Sequence, residues 1–140
     1  MAEPKAKDIL NKLKLTGLGP RIRSFFAEGF FQNRIIFWLS VSSLVANIVD
    51  WAILRIFIKP VDFPIILHYN VYFGVDTLGG WKQVFVLPLM GFILFIINLL
   101  LSSHFYGQKE RIASHLLLMA TLMLQLSLIV ASVSIIIINY

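Results

Sequence analysis

Apolar residues run almost without interruption through three segments of the chain, at about residues 35–58, 84–105 and 116–138. Each run is long enough for an α-helix to cross about 30 Å of hydrocarbon. Polar stretches separate the runs, a long one at residues 59–82 and a short turn near residues 106–111. The pattern predicts an all-α integral membrane protein whose domain, residues 34–140, contains three transmembrane helices.

Composition supports a membrane location. Hydrophobic residues make up 59% of the 140 residues and charged residues 14%, whereas soluble domains have about 45–50% and about 25%. A soluble domain of this size could not bury so much apolar surface, so the surplus is expected to face lipid. The absence of cysteine excludes disulfides and thiol catalysis.

The distribution of positive charge predicts how the chain is threaded. Seven basic residues precede the first apolar run: Lys5, Lys7, Lys12, Lys14, Arg21, Arg23 and Arg34. Lys109 and Arg111 lie in the short turn. By the positive-inside rule, both regions are cytoplasmic. The sequence therefore predicts a multi-pass plasma (inner) membrane protein with an extracytoplasmic loop at residues 59–82 and an extracytoplasmic C-terminus.

Residues 1–33 form a separate basic segment. Ile9, Leu10 and Leu13 are spaced as on one face of a helix among lysines, which predicts a short amphipathic helix at the cytoplasmic surface. Its expected partner is the bilayer, through anionic headgroups; a specific partner-binding arm is the alternative. Nucleic acid is not expected, because the aromatic and glycine pattern of an RNA-binding module is absent.

The first run contains a polar stripe. Ser40, Ser43, Asn47 and Asp50 recur every three or four residues and so share one helix face. A carboxylate in lipid is costly, so this face should meet protein or water. Arg55 lies about 140° around the helix from Asp50 and is expected at the outer interface. A structural contact from helix to loop is the favoured interpretation, and a proton or ion site is the alternative.

The other two runs also carry polar residues. Asn98 is expected to hydrogen-bond across a helix interface. In the third run, small residues recur every seven positions, at Ala113, Ala120, Ser127 and Ser134, which predicts a packing seam. Gln125 and Thr121 lie off this seam, and such a second polar face hints at another subunit.

The outer loop is rich in aromatic and β-branched residues, which favours a short strand or an extended cover over the helix ends. We expect His68, Asn70 and Asp76 to fold it back as an ordered cap, with Asp50 or Arg55 as the anchor. Trp81 fits the aromatic belt at a membrane surface. Metal binding by His68 with Asp76 is an alternative, but two ligands are few, so neither a metal nor another cofactor is predicted.

Part of this region resembles a known family. Pro64, His68, Asn70, Gly74, Asp76 and Gly79, followed by Trp81-Lys82 and Leu87-Pro88, are similar to the extracytoplasmic motif of SdpI-type bacterial membrane proteins, within an N-terminal domain of unknown function. The likeness covers about residues 55–100, and members of that family have more spans than this chain. It implies at most a sensing or immunity-like role.

For function, the sequence contains no Ser-His-Asp set, paired carboxylates or phosphate-binding glycine loop. The expectation is a small non-enzymatic subunit or an envelope sensor that associates with a second copy or another membrane protein. The alternative is a proton or ion transport component that uses the Asn47/Asp50 stripe.

Overall fold

The computed structural model describes residues 29–140, so most of the predicted basic segment 1–33, including its amphipathic helix, lies outside the described residues. A 3-10 turn (Phe30–Gln32) leads into the first long helix. The elements that follow are α1 (Arg34–Phe57), β1 (Ile65–Asn70), β2 (Gly74–Gly79), a 3-10 segment (Trp81–Phe85), α2 (Val86–Gly107) and α3 (Arg111–Asn139).

Within residues 29–140, three helical segments are long and apolar enough to cross a membrane: Arg34–Phe57, Trp81–Gly107 and Arg111–Asn139. The predicted three-helix membrane architecture is confirmed at this level. The all-α description is only approximate, because the loop between α1 and α2 contains a two-stranded antiparallel sheet. β-branched and aromatic residues in the first strand, and Asn70 and Gly74 on either side of the tip, favour such a hairpin.

Local sequence explains where the helices begin. Asn33 caps α1: its side-chain oxygen accepts hydrogen bonds from the backbone N–H groups of Ile35 (3.0 Å) and Ile36 (3.4 Å), which have no partner inside the helix. Pro88 is the third residue of α2. Proline is tolerated in the first turn of an α-helix.

The bundle is polar inside and apolar outside. α3 packs against both α1 and α2 more extensively than these two pack against each other. Large apolar side chains such as Trp38, Ile48 and Met123 are exposed on the outside, where lipid would cover them, whereas serines, a threonine and amides are buried between the helices. Such small and polar interfaces are typical of membrane helices, which gain nothing by hiding apolar surface from lipid.

The predicted small-residue seam on α3 is wrong. Ala120, Ser127 and Ser134 are exposed and Ala113 is only half buried, while the buried stripe of α3 consists of Ser114, Leu118, Thr121, Gln125, Ser132 and Ile135. The two seam serines donate to carbonyls of their own helix, Ser127 to Met123 (2.9 Å) and Ser134 to Val130 (2.8 Å). Because these hydroxyls are already satisfied, they can face lipid, and the amide of Gln125 takes the interior.

Two apolar clusters close the ends of the bundle. At one end, Phe30, Ile36 and Leu118 pack together, with Tyr106 in an edge-to-face contact with Phe30 at 5.6 Å between ring centroids. At the other end, Leu54, Ile58, Ile65, Val84 and Ile135 form a second cluster, which we call the plug. The plug joins all three helical segments to the base of the hairpin.

Candidate functional site

A network of amides ties the three helices together near mid-span. The Asn47 side-chain N–H2 group on α1 donates to the Pro88 carbonyl (2.9 Å) on α2 and to Gln125 Oε1 (3.1 Å) on α3. Gln125 Nε2 in turn donates to the Gly91 carbonyl at 2.8 Å. We call these four residues the central layer. Asn47 and Gln125 are both buried, and each is satisfied by the other two helices.

The central layer corrects the expectation for Gln125. The sequence placed it on a second polar face that hinted at another subunit, but the structure turns it into the bundle, where it no longer indicates one. Gly91 makes the close approach possible. A Cβ there would lie 2.6 Å from Leu128 Cδ1, 2.8 Å from Gln125 Oε1 and 3.1 Å from Asn47 Nδ2.

Two further polar contacts join α2 to α3 between the central layer and the α2–α3 turn. Asn98 Nδ2 donates to Thr121 Oγ1 at 2.9 Å, and the Ser102 and Ser114 hydroxyls lie 2.7 Å apart. The helix-to-helix hydrogen bond expected of Asn98 is therefore present. Interhelical hydrogen bonds of this kind contribute on the order of 1 kcal/mol each, so these contacts and the central layer together hold the helices of the bundle to one another.

Asp50 is different, although it lies only one turn from Asn47 on the same stripe. Its side chain is fully buried, and neither carboxyl oxygen has a hydrogen-bond partner among residues 29–140. Ser132 on α3 faces the carboxyl closely enough to interact with it, but the two side chains form no hydrogen bond of good geometry, and the Ser132 hydroxyl is otherwise unpartnered within residues 29–140. We call these two residues the outer pair. A carboxylate near the centre of a membrane helix costs about 2.5–3.5 kcal/mol or more.

Ser132 stands apart from most other hydroxyls in the bundle. Ser43, Thr121, Ser127 and Ser134 each donate to the carbonyl four residues earlier, the common outcome for Ser and Thr in membrane helices. Ser132 makes no such bond. Its hydroxyl is therefore directed at the Asp50 carboxyl and not at the backbone of its own helix.

The outer loop is a β-hairpin that ends in an apolar tip. β1 pairs with β2 from Ile65 opposite Gly79 to Asn70 opposite Gly74, with register irregularities around His68. Asn70 Oδ1 accepts from the Tyr72 N–H (2.9 Å), and Gly74 has a φ of +79°, a left-handed conformation that glycine adopts readily. The tip itself, Val71–Phe73, is 85%, 90% and 84% exposed in chain order.

His68 and Asp76 form a pair across the hairpin. His68 Nδ1 lies 2.7 Å from Asp76 Oδ1, and both side chains are exposed, so the contact adds about 0–1 kcal/mol at most. Within residues 29–140 there is no group of three or more His, Cys, Asp or Glu side chains that could hold a metal ion. The pair links β1 to β2 across the hairpin, and its contribution to fixing the hairpin on the bundle is small.

The anchor of the hairpin is at the end of α3, and the expected anchor at Asp50 or Arg55 is wrong. Asn139 Oδ1 accepts from the Ile66 N–H (2.8 Å), while Asn139 Nδ2 donates to the Ile66 carbonyl (2.7 Å). This amide thus binds one strand residue as a neighbouring strand would. The Tyr140 hydroxyl adds longer contacts to the Lys59 backbone, at 3.3 and 3.4 Å. Asp50 is buried below, and Arg55 is exposed.

Sequence reasoning missed Asn139 as an anchor. The available signal was an amide and a phenol directly after the apolar run Ile135–Ile138, a position where a polar side chain leaves the bilayer beside the outer loop. Trp81 was expected in the aromatic belt at a membrane surface. It packs on the plug and meets the Phe85 ring edge-to-face at 6.4 Å, with the Lys82 ammonium over its ring at 5.5 Å.

No family model, curated protein or solved structure matches this chain. Five of the residues that carry the SdpI-type resemblance lie in the hairpin: His68 and Asp76 form the exposed pair, Asn70 and Gly74 shape the turn, and Gly79 closes the hairpin base. A Cβ on Gly79 would collide with the side chains of Gln83 and Leu67.

Proposed function

We propose that this chain is a small non-enzymatic membrane subunit or envelope sensor that recognises another envelope protein through the tip of its outer hairpin. One observation carries the proposal: the tip Val71–Phe73 is almost fully exposed, while the hairpin base is fixed to the bundle by Ile65 and Asn139. An apolar tip held out on an anchored hairpin has no packing role within the described residues.

The physical reason is the cost of exposing such a tip. Contiguous exposed apolar groups on a folded protein commonly mark interaction sites, and aromatic residues dominate the energetics of protein interfaces. The tip carries no charge that would repel an apolar partner surface. Asn70 and Gly74 fix the turn in advance, so little ordering entropy is lost on binding. The SdpI-type resemblance of the same segment supports a sensing or immunity-like role.

The same proposal includes the orientation. The hairpin and the end of α3 lie at one end of the bundle because Asn139 bonds to β1, and Phe30 and the α2–α3 turn meet at the other. The exposed cations of that second end, Arg34, Lys109 and Arg111, support a cytoplasmic position for it by the positive-inside rule. The hairpin then faces outwards from the plasma membrane.

Fewer side chains are available to the alternative function, transport of a proton or an ion, than the polar stripe in the sequence suggested. Asn47 and Gln125 satisfy each other and two carbonyls of α2, and these contacts hold the helices together. Of the stripe and its surroundings, only the outer pair combines a buried carboxyl with an unused hydroxyl. A pathway across the membrane would have to open the central layer, so recognition by the hairpin is the better-supported function.

Photo-crosslinking tests the proposal. A photoreactive amino acid replaces Tyr72 at the tip, and in a matched control it replaces Leu78 in β2, which is also exposed; both variants are irradiated in native membranes. We expect one discrete protein adduct from position 72, absent from position 78 and lost when Val71 and Phe73 are changed to serine. Adducts to lipid alone, or the same adducts from both positions, would contradict recognition by the tip.

A further inference from the structure

The outer pair carries an inference that goes beyond recognition by the hairpin. We propose that Asp50 and Ser132 bind one monovalent cation, a proton or a sodium ion, and that the base of the hairpin covers this site. The starting observation is that both carboxyl oxygens and the serine hydroxyl are buried and unpartnered within residues 29–140. Three buried oxygens form an electronegative site that a cation neutralises.

The charge of the site favours a monovalent over a divalent cation. Asp50 supplies one carboxylate, and Ser132 supplies a neutral oxygen. The described residues contain no cluster of three acidic or imidazole groups, so a divalent ion would remain charged in an apolar surrounding and would lack ligands. A proton or a sodium ion leaves the site neutral. Oxygen ligands suit both, because a proton bridges oxygens in a hydrogen bond and sodium is a hard cation.

The protein itself offers no counterion to Asp50 within the described chain. The charged or titratable groups at the hairpin end are exposed: Arg55, Lys59, Asp62, His68, Asp76 and Lys82. Those of α2 and α3, His104, Arg111 and His115, belong to the opposite end; His115 is about 25 Å from Ser132 along the helix. The neutralising charge therefore has to come from solution.

The plug covers the pair on its outer side. Leu54 follows Asp50 by one helical turn and Ile135 follows Ser132 by one turn, and both pack against Ile65 of β1 and Val84. On the inner side, the hydrogen-bonded central layer closes the bundle. The shorter route for an ion therefore runs outwards past Ile65, whose neighbour Ile66 is held by Asn139. Movement of the hairpin base controls this route.

Thermal unfolding of the purified chain in nanodiscs tests the site. Sodium is varied at constant ionic strength against choline and at several pH values, for the wild type, Asp50→Asn and the control Asp62→Asn, whose carboxylate is exposed. If sodium is the ligand, it raises the Tm of wild type and Asp62→Asn but not of Asp50→Asn. The apparent affinity for sodium falls about tenfold for each unit by which the pH is lowered, in the range where protons compete for the site.

If the proton is the ligand, sodium has no effect, and the Tm difference between wild type and Asp50→Asn changes with pH. Infrared spectroscopy of the wild type gives an independent readout, since a protonated carboxyl has its own C=O band that Asp50→Asn removes. If Asp50→Asn does not fold, Ser132→Ala takes its place, and we expect a weaker effect of the ion on its Tm than on that of the wild type. A Tm difference independent of both ions, together with no carboxyl band responding to pH or sodium, would overturn the proposal.

Discussion

The central layer and the outer pair lie one helical turn apart, and the bundle treats them in opposite ways. Asn47 and Gln125 make three hydrogen bonds that connect all three helices, whereas Asp50 and Ser132 make none to the described residues. Both groups are fully buried, so burial does not distinguish them. Polar residues inside a membrane protein therefore fall into two kinds, those that fasten helices and those that remain available to a ligand.

The largest expected effect comes from filling the space beside the central layer. Gly91→Val would push against Leu128, Gln125 and Asn47, and it should lower the free energy of unfolding by about 2–4 kcal/mol through overpacking and lost hydrogen bonds. Gly80→Val is the matched control, because nothing lies within 4 Å of its Cβ and its φ of −71° suits any residue. Unfolding titrations in mixed micelles measure both. Equal stabilities would show that the central layer does not constrain the helices.

A smaller and more local effect is expected at the anchor of the hairpin. Asn139→Ala removes the two hydrogen bonds to Ile66 and one to Ile135. The free energy of opening the hairpin base should therefore fall by about 1–2 kcal/mol, which raises the exchange rate of its amides roughly tenfold. Hydrogen exchange of β1 and β2 amides measures the change, while the helix amides stay protected. Tyr140→Phe, which loses only the longer contacts to Lys59, should change exchange by less than about twofold. Unchanged exchange in Asn139→Ala would mean that Ile65 packing alone holds the hairpin.

The smallest effect is expected for the exposed pair. His68→Ala should change the free energy of unfolding by less than about 1 kcal/mol, because the contact with Asp76 is solvent-exposed and screened by salt. Thermal unfolding at low and high salt provides the measurement. A loss comparable to that of Gly91→Val would place the pair inside a hidden interface and would break the contrast between buried and exposed polar contacts.

The sequence was sufficient for the helices and insufficient for their faces. Long apolar runs have one outcome in a bilayer, so the three spans followed directly. Which side of α3 faces inwards could not be read the same way, because small residues and polar residues both suit a helix interface. The polar side took the interior here since Ser127 and Ser134 bond to their own backbone, whereas Gln125 needs other helices to satisfy its amide.

The hairpin shows a second limit. One short strand followed from the β-branched and aromatic residues of the loop, which are local signals, whereas the second strand and the hairpin pairing did not. The anchor of the hairpin did not either, since the bond between Asn139 and Ile66 joins positions far apart in the chain, and no local pattern encodes such a pairing. The polar stripe on α1 was correctly expected to face inwards, but spacing alone could not show that Asn47 has partners and Asp50 has none.

The most direct test of the contrast between the two layers is a pair of equal truncations on α1, Asn47→Ala and Asp50→Ala, compared in sodium-free buffer by the free energy of unfolding. The account predicts that Asn47→Ala is destabilising by about 1–3 kcal/mol, because Gln125 and the Pro88 carbonyl lose their partner. Asp50→Ala should cost less than Asn47→Ala or be stabilising, because at most the weak contact with Ser132 is lost and a buried carboxyl without a counterion is removed. Equal destabilisation by both substitutions would contradict it, since Asp50 would then fasten the bundle as Asn47 does.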